Sequence, residues 1–504
     1  METGHEADDK CERRGRQRHG RRVRETAELP DGPGREHSVI ILVADGVRPD
    51  TLTEGIAAGR WPALARLAQE GGAHTVTTCF PSVTGPAYVP LLTGQAPGPA
   101  GLPGIRWFDR ERRGLIIPHR ARSYVGAEMR HADADLDASV PTLFERVQGD
   151  GVASMSVFGR GLRRRDRLDQ RVSAMAQTSI AHFRGRVEGW LRLDDDAGSR
   201  FVASVLSRRP RVAFAAFLGP DKAAHADTHT SPLVSLAIDG IDRVADALRQ
   251  GLESTGRWST TTLWVVSDHG HSPVHTHDEI ADVIRALDYR VLAHPWVYSP
   301  RRASAAVMVS GNAMAHVYVD LAARGRPGWD RLAAKHEPLA KALLARESID
   351  LMMLPCAGGR CEVRRRDGGV AIVTMHATHN DVGRFSYEPI GGDPLGIGRP
   401  LVHTSADAAW DATRDTAYPD SVVQIALLAG SSRAGDILLS ASPGWDLRER
   451  YEPIPHRSAH GGLRAEQMLV PALVNRPCGS VLRRTTDIGR SAARSIGAAP
   501  IHDH

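Results

Sequence analysis

Three short, mainly apolar runs stand out along the chain, at residues 39–44, 212–218 and 262–267, and each gives way within three residues to an aspartate: Asp45, Asp221 and Asp268. Runs this short, without the alternation of a half-exposed strand, predict strands buried on both faces, as in a parallel sheet covered by helices. The stretch at 61–70 predicts one such helix. From about residue 290 to 415 the pattern becomes mixed. A strand-like 315–319, a helix at 329–345 and a Gly/Arg-rich segment at 358–369, which predicts a hairpin, together mark an inserted α+β cap. Regular signals return at 421–428 and 436–440 and are expected to rejoin the main sheet. The expected organisation is a disordered polar tail over 1–37, an α/β three-layer catalytic domain with a mostly parallel central sheet over 38–480, and a C-terminal polar tail over 481–504. There are no internal repeats. No run approaches the roughly 18 apolar residues of a membrane span, so no membrane association is expected.

Composition narrows this picture only a little. The 504 residues are 41% hydrophobic and 24% charged, which is ordinary globular usage and excludes fibrous or wholly disordered classes. The net charge is +5, but all the basic residues except Lys10, Lys222, Lys335 and Lys341 are arginine, a bias better explained by a GC-rich genome than by function. The arginines between Arg13 and Arg24 could form a phosphate-contacting arm. Acidic residues balance them within the same tail, however, so they are read as solvated, and no nucleic-acid polymer is expected as partner. Arg13-Arg14 lacks the apolar segment an export signal would need. Cys11, Cys79, Cys356, Cys361 and Cys478 are too scattered for a disulfide framework, and a reduced cytoplasmic protein is expected.

The histidines change the picture more. Beside the three strand-end acids stand His225, in Asp221-Lys222-Ala223-Ala224-His225; His269, in Ser267-Asp268-His269-Gly270; and His460, in Ser458-Ala459-His460-Gly461. Ligands of open α/β sheets bind at the carboxyl ends of the strands, so these loops are expected to share one site. Asp and neutral His are ordinary ligands of Zn²⁺, and carboxylate-rich sets shade towards Mn²⁺. Six such groups could hold two metals. A lone Asp-His pair is more often a helix cap or a surface contact; it is the joint order and strand context that point to metal.

With these motifs in place, the chain resembles the alkaline phosphatase superfamily, and within it the type I phosphodiesterase/nucleotide pyrophosphatase branch, over roughly residues 38–290 and 420–475. The resemblance implies an alkaline-phosphatase-like fold and two divalent metal ions, Zn²⁺ by preference with Mn²⁺ as the alternative. Asp45, Thr84, Asp268 and His269 match the ligands of one ion. Asp221, His225 and His460 match those of the other, Asp221 and His225 standing one helical turn apart. It further implies that Thr84 is the nucleophile, passing through a phosphothreonyl intermediate before water releases the product. His271, His275 and His277 are read as supporting or loop residues.

Residues 79–83, Cys-Phe-Pro-Ser-Val, nearly spell a sulfatase signature, but Val83 stands where sulfatases need arginine. In both branches the nucleophile also precedes a Thr-Gly pair by a helix length, and Thr93-Gly94 sets that ruler on Thr84, which is expected to cap a helix through Leu91. Nucleotide-cleaving relatives carry an aromatic and an asparagine after the nucleophile, where this chain has Gly85-Pro86-Ala87. A small phosphate ester is therefore expected as substrate, with nucleotide preference in doubt unless Trp107, Tyr124 or the cap compensates. The alternatives are a phosphomonoesterase, a phosphonate or sulfate ester hydrolase, a phosphotransferase, a phosphoglycerate mutase-like enzyme, or an inactive metal-bound binding protein. Oligomeric state is not legible.

Overall fold

The computed structural model describes residues 37–111, 120–125, 131–147, 151–155, 162–163, 172–294, 303–376, 383–448, 450, 454 and 456–498. The expected N-terminal tail, but for His37, lies outside the described residues. The three apolar runs become adjacent strands: Ser38–Ala44 lies between Val212–Phe217 and Thr261–Val266 and is parallel to both. Gly151–Met155 extends the sheet in parallel beyond Val212–Phe217. On the other side, Leu469–Val474 pairs antiparallel with Thr261–Val266, and Ala73–Thr77 brings the sheet to six strands among the described residues.

Alternate residues of the first strand feed opposite layers, as the pleat requires. Ile40 and Leu42 pack with Leu64, Phe201, Ile238 and Leu248 from the helices Pro62–Glu70, Val187–Arg208 and Pro232–Ser254. Val39, Ile41 and Val43 pack on the other face with Tyr88, Leu91, Leu92 and Ile488. The sheet is thus a buried layer whose strand ends form one edge, and that edge fixes the site.

Residues 481–504 are not simply a polar tail. A helix, Thr485–Ser495, follows, and its Ile488, Ala492 and Ala493 are buried against the helix Tyr88–Thr93. Its polar face dominates the composition, and the narrow apolar stripe is what docks it. Arg484 anchors its start, forking onto buried Asp420 at 2.7 and 2.8 Å.

The second sheet has nine strands among the described residues and is larger than the expected insertion. Ile437–Ala441, expected in the main sheet, instead pairs antiparallel with both Met314–Val319 and Ile349–Pro355. A short buried strand carries no mark of which sheet will accept it, and here tertiary pairing decides. The run at 421–428 forms the helix Ser421–Gly430, whose Val422, Ile425 and Ala426 pack with Leu351, Val363 and Val373 of the same second sheet. The predicted hairpin at 358–369 is one strand, Arg360–Arg365, with a turn at either end and a partner on each side. The helix Trp329–Leu344 stands where the pattern places it. No described helix is long and apolar enough to cross a membrane.

The C-terminal helix reaches the segment behind Thr84 through Gly489, where an added Cβ would lie 2.2 Å from the Pro90 carbonyl oxygen. An interior Gly→Ala change ordinarily stabilises a helix by about 1 kcal/mol. Here Gly489→Ala should instead lower stability by about 1–3 kcal/mol through overpacking, read by urea unfolding. A stabilised variant would mean that this helix does not dock on Tyr88–Thr93.

Candidate two-metal site

Asp45 follows the first strand directly, its backbone N–H bonded to the Phe217 carbonyl across the parallel pair. Asp268 lies two residues beyond the neighbouring strand, where its Oδ1 accepts from the backbone N–H of Gly46 and of His269. Asp221 and His225 lie one turn apart on the helix Gly219–Ala226, which leaves the third strand. His460 comes from a remote loop, tied through Gly461 to Ser82. All seven residues expected at the site are buried.

They fall into two sets. In the first, Thr84 Oγ1 lies 3.2 Å from Asp45 Oδ1 and 3.0 Å from His269 Nε2, with His269 Nε2 3.2 Å from Asp45 Oδ1 and 3.7 Å from Asp268 Oδ2. In the second, Asp221 Oδ1 lies 3.2 Å from His225 Nε2 and 3.6 Å from His460 Nε2. The rings of His269 and His460 stack with centroids 3.6 Å apart, which sets the two groups side by side.

The other ring nitrogens show what these groups are oriented for. Nδ1 of His225 faces the Ser458 carbonyl at 2.8 Å, Nδ1 of His460 the Ser82 carbonyl at 2.9 Å, and Nδ1 of His269 the Gly270 carbonyl at 3.2 Å. A carbonyl can only accept, so each Nδ1 carries a proton and Nε2 is the atom each ring turns towards a carboxylate. Metal-ligating histidines are held in this way.

The charges are equally unbalanced. Burial, with Asp45 beside it, pushes the Asp268 carboxyl up to about 8, and its Oδ2 has no hydrogen-bond partner among the described residues. Burial alone would depress His269, but Asp268 and Asp45 outweigh it and lift the imidazole to about 9. Burial dominates at His460, which is held well below its ordinary value. Asp221 is held well below the carboxylate range despite its burial, by Lys222 at 2.6 Å and by His225. Crowded acids, an orphaned carboxylate oxygen and convergent imidazole Nε2 atoms are the environment a divalent cation would complete, so the residues present fit a metal pair.

Several expectations need adjustment. Thr84 does not cap a helix directly. It sits in a turn in which the Ala87 N–H bonds to the Val83 carbonyl, and the helix begins only at Tyr88. Trp107 and Tyr124, considered as base platforms, are fully buried and pack edge to face on each other at 5.0 Å. His275 and His277 are exposed on the strand Ser272–His277, but His271 is fully buried beside Asp221. Burial pushes His271 down to about 3, so it stays neutral there. Sequence reasoning missed Tyr88, whose hydroxyl donates to Asp45 Oδ2 at 2.9 Å; its place four residues after Thr84 was the available signal. It also passed over Ser458, two residues before His460.

The sequence profile of the family described as "Type I phosphodiesterase / nucleotide pyrophosphatase" matches residues 39–355. Among solved structures, the chain is similar to phosphonoacetate hydrolase from Sinorhizobium meliloti 1021 in complex with phosphonoacetate, at 17% identity and a TM-score of 0.53, covering 92% of this chain and 96% of that one. It is also similar to human ectonucleotide pyrophosphatase/phosphodiesterase 5, at 14% identity and a TM-score of 0.55, covering 93% and 96%. The murine counterpart in complex with AMP matches at 14% identity and a TM-score of 0.53, covering 93% and 97%. At these identities the likeness is one of fold.

In metal-free protein the raised carboxyl of Asp268 favours folding while it is protonated, and that advantage is lost as pH rises from about 4 towards 8. The raised imidazole of His269 favours folding below its ordinary 6.5, an advantage lost as pH rises towards 9. Asp194, pushed up to about 8 by burial, acts in the same direction. Between about pH 6.5 and 8 the chelated protein should therefore lose on the order of 2–4 kcal/mol of stability as pH rises, and saturating Zn²⁺ should abolish the decline. Thermal melts in EDTA that are flat or rising across this window would contradict the electrostatics described.

Proposed function

The chain belongs to the type I phosphodiesterase/nucleotide pyrophosphatase family and is a phosphoric ester hydrolase, and we propose that it cleaves small phosphodiesters in two steps with Thr84 as the nucleophile. The observation that carries this reading is the position of Thr84 Oγ1, within 3.2 Å of both Asp45 Oδ1 and His269 Nε2. Asp45, Thr84, Asp268 and His269 would hold one divalent cation, and Asp221, His225 and His460 the other. The imidazole-rich donors favour Zn²⁺, with Mn²⁺ the alternative. Such a pair, typically about 4 Å apart, supplies Lewis acidity to the entering and leaving oxygens.

The chain's own residues do the rest. Asp45 Oδ1 receives the hydroxyl hydrogen bond of Thr84, which aims the oxygen, and Tyr88 fixes the other Asp45 oxygen. Attack on phosphorus breaks the bond to the first alcohol, which leaves with the threonine proton. Water then cleaves the phosphothreonyl ester, restoring Thr84 and releasing a phosphomonoester. Cys79 is a poor alternative, because it is buried, directs its thiol to the Pro81 carbonyl, and is pushed up to about 12 by desolvation.

Substrate class follows from what flanks the nucleophile. Gly85 and Ala87 offer neither a stacking face nor an amide donor, and Trp107 and Tyr124 are sealed in the core. We infer a non-nucleotide diester. We also place the enzyme in the cytoplasm, since the described cysteines Cys79, Cys356, Cys361 and Cys478 are free thiols, as a reducing compartment keeps them.

Thr84→Ala should lower diesterase activity at least about a thousandfold while leaving the metal content unchanged, and Cys79→Ala should stay active. The opposite pattern in bis-p-nitrophenyl phosphate assays would overturn the assignment. Base stacking is worth roughly 1–3 kcal/mol and a charge-assisted hydrogen bond about 1.5–3. An enzyme without either should therefore show kcat/KM values within about tenfold for nucleotide and simple aryl diesters. A nucleotide preference of a hundredfold or more would restore a true nucleotide pyrophosphatase.

A further inference from the structure

We propose that His271 is a fourth protein ligand of the cation at Asp221, so that this ion sits in a cage of three imidazoles and one carboxylate. The inference rests on the two-metal reading above and adds to it a residue that the family resemblance does not supply.

Asp221 Oδ1 is approached by three imidazole Nε2 atoms: His271 at 3.0 Å, His225 at 3.2 Å and His460 at 3.6 Å. The three rings form a nearly equilateral triangle, with centroids 4.8, 5.1 and 5.1 Å apart. Four donors bound tetrahedrally at about 2.0–2.2 Å lie roughly 3.3–3.6 Å from one another, and the distances from Asp221 bracket that spacing.

Hydrogen accounting gives His271 the same orientation as its two neighbours. The Ser458 hydroxyl has one proton, and the Ala224 carbonyl, 2.6 Å from its oxygen, can only accept it. Ser458 Oγ is therefore the acceptor for His271 Nδ1, 3.0 Å away, and that nitrogen carries the ring proton. Nε2 then presents a lone pair to a carboxylate oxygen at 3.0 Å. A cation between these two acceptors would satisfy both, and His271 Nε2 lies among the donor atoms that converge with Asp221 and His460. The chain has also made room for the approach: position 46 is glycine at φ +73°, and a Cβ there would lie 2.7 Å from His271 Nε2.

The consequence is chemical. A catalytic zinc commonly keeps three protein ligands and one open position, whereas a closed set of four retains its ion and admits substrate only by expanding to five. With His271, the cation at Asp221 would thus have four protein donors of its own, none of them the attacking residue.

The test is cadmium NMR on the full-length protein with nitrogen-labelled histidine, in which scalar coupling counts the imidazoles on each bound ion. Three couplings to one cadmium and one to the other are expected. His271→Asn should leave two on the first, with its affinity lowered at least tenfold, and one on the second, with its affinity unchanged within twofold. Ser458→Ala, which keeps the ring, should retain all three couplings. Two couplings in the unaltered protein, with the His271 nitrogen uncoupled, would make His271 a positioning residue only and overturn the inference while leaving the two-metal reading intact. Failure of the unaltered protein to bind two cadmium ions would overturn that reading itself.

Discussion

Three carboxylates, Asp45, Asp221 and Asp268, are gathered without solvent at the ends of neighbouring strands, and everything else around the site is arranged in answer to that concentration of charge. Burying even one ionised carboxylate is costly unless it is paired. Lys222 answers part of the charge at Asp221, and Tyr88 and backbone N–H groups answer part of it at Asp45 and Asp268. The remainder is met by histidine Nε2 atoms whose opposite nitrogens are pinned to Gly270, Ser458 and Ser82. Without a cation, that arrangement holds protons tightly at Asp268 and His269. With one, the same geometry becomes a ligand set.

The sheet makes such crowding possible. Parallel strands all end on one edge, so residues separated by more than two hundred positions meet without any long-range device beyond strand pairing. The layers on either side then hold that edge rigid: the helices Pro62–Glu70 and Pro232–Ser254 on one face, and Tyr88–Thr93 with the C-terminal helix on the other. Thr84, the proposed nucleophile, is held to Asp45 and His269 by its own contacts and backed by the segment against which Gly489 packs. On the proposed mechanism, stability and catalysis therefore share residues at Thr84 and Tyr88, and a packing change behind them would reach the chemistry.

Three strands of the main sheet and the family were legible because their signals are local: short, mainly apolar runs, acids at the run ends, and a fixed order of Asp and His. What was not legible depends on partners. Nothing in residues 437–441 says which sheet will accept them, and the apolar stripe of residues 485–495 is too narrow to stand out among arginines. His271 was visible but ambiguous, because its chemistry lies in the proton count at Ser458, a residue far along the chain. Tyr88 likewise gains its meaning only when Asp45 is brought opposite.

The most direct test of the account is the number of divalent ions carried per chain, read by native mass spectrometry together with elemental analysis of protein dialysed against Zn²⁺. The account predicts two ions per chain, lost together with the diesterase activity on chelation and restored with it on reloading. A chain that stays metal-free under these conditions, or is fully active after chelation, would contradict it.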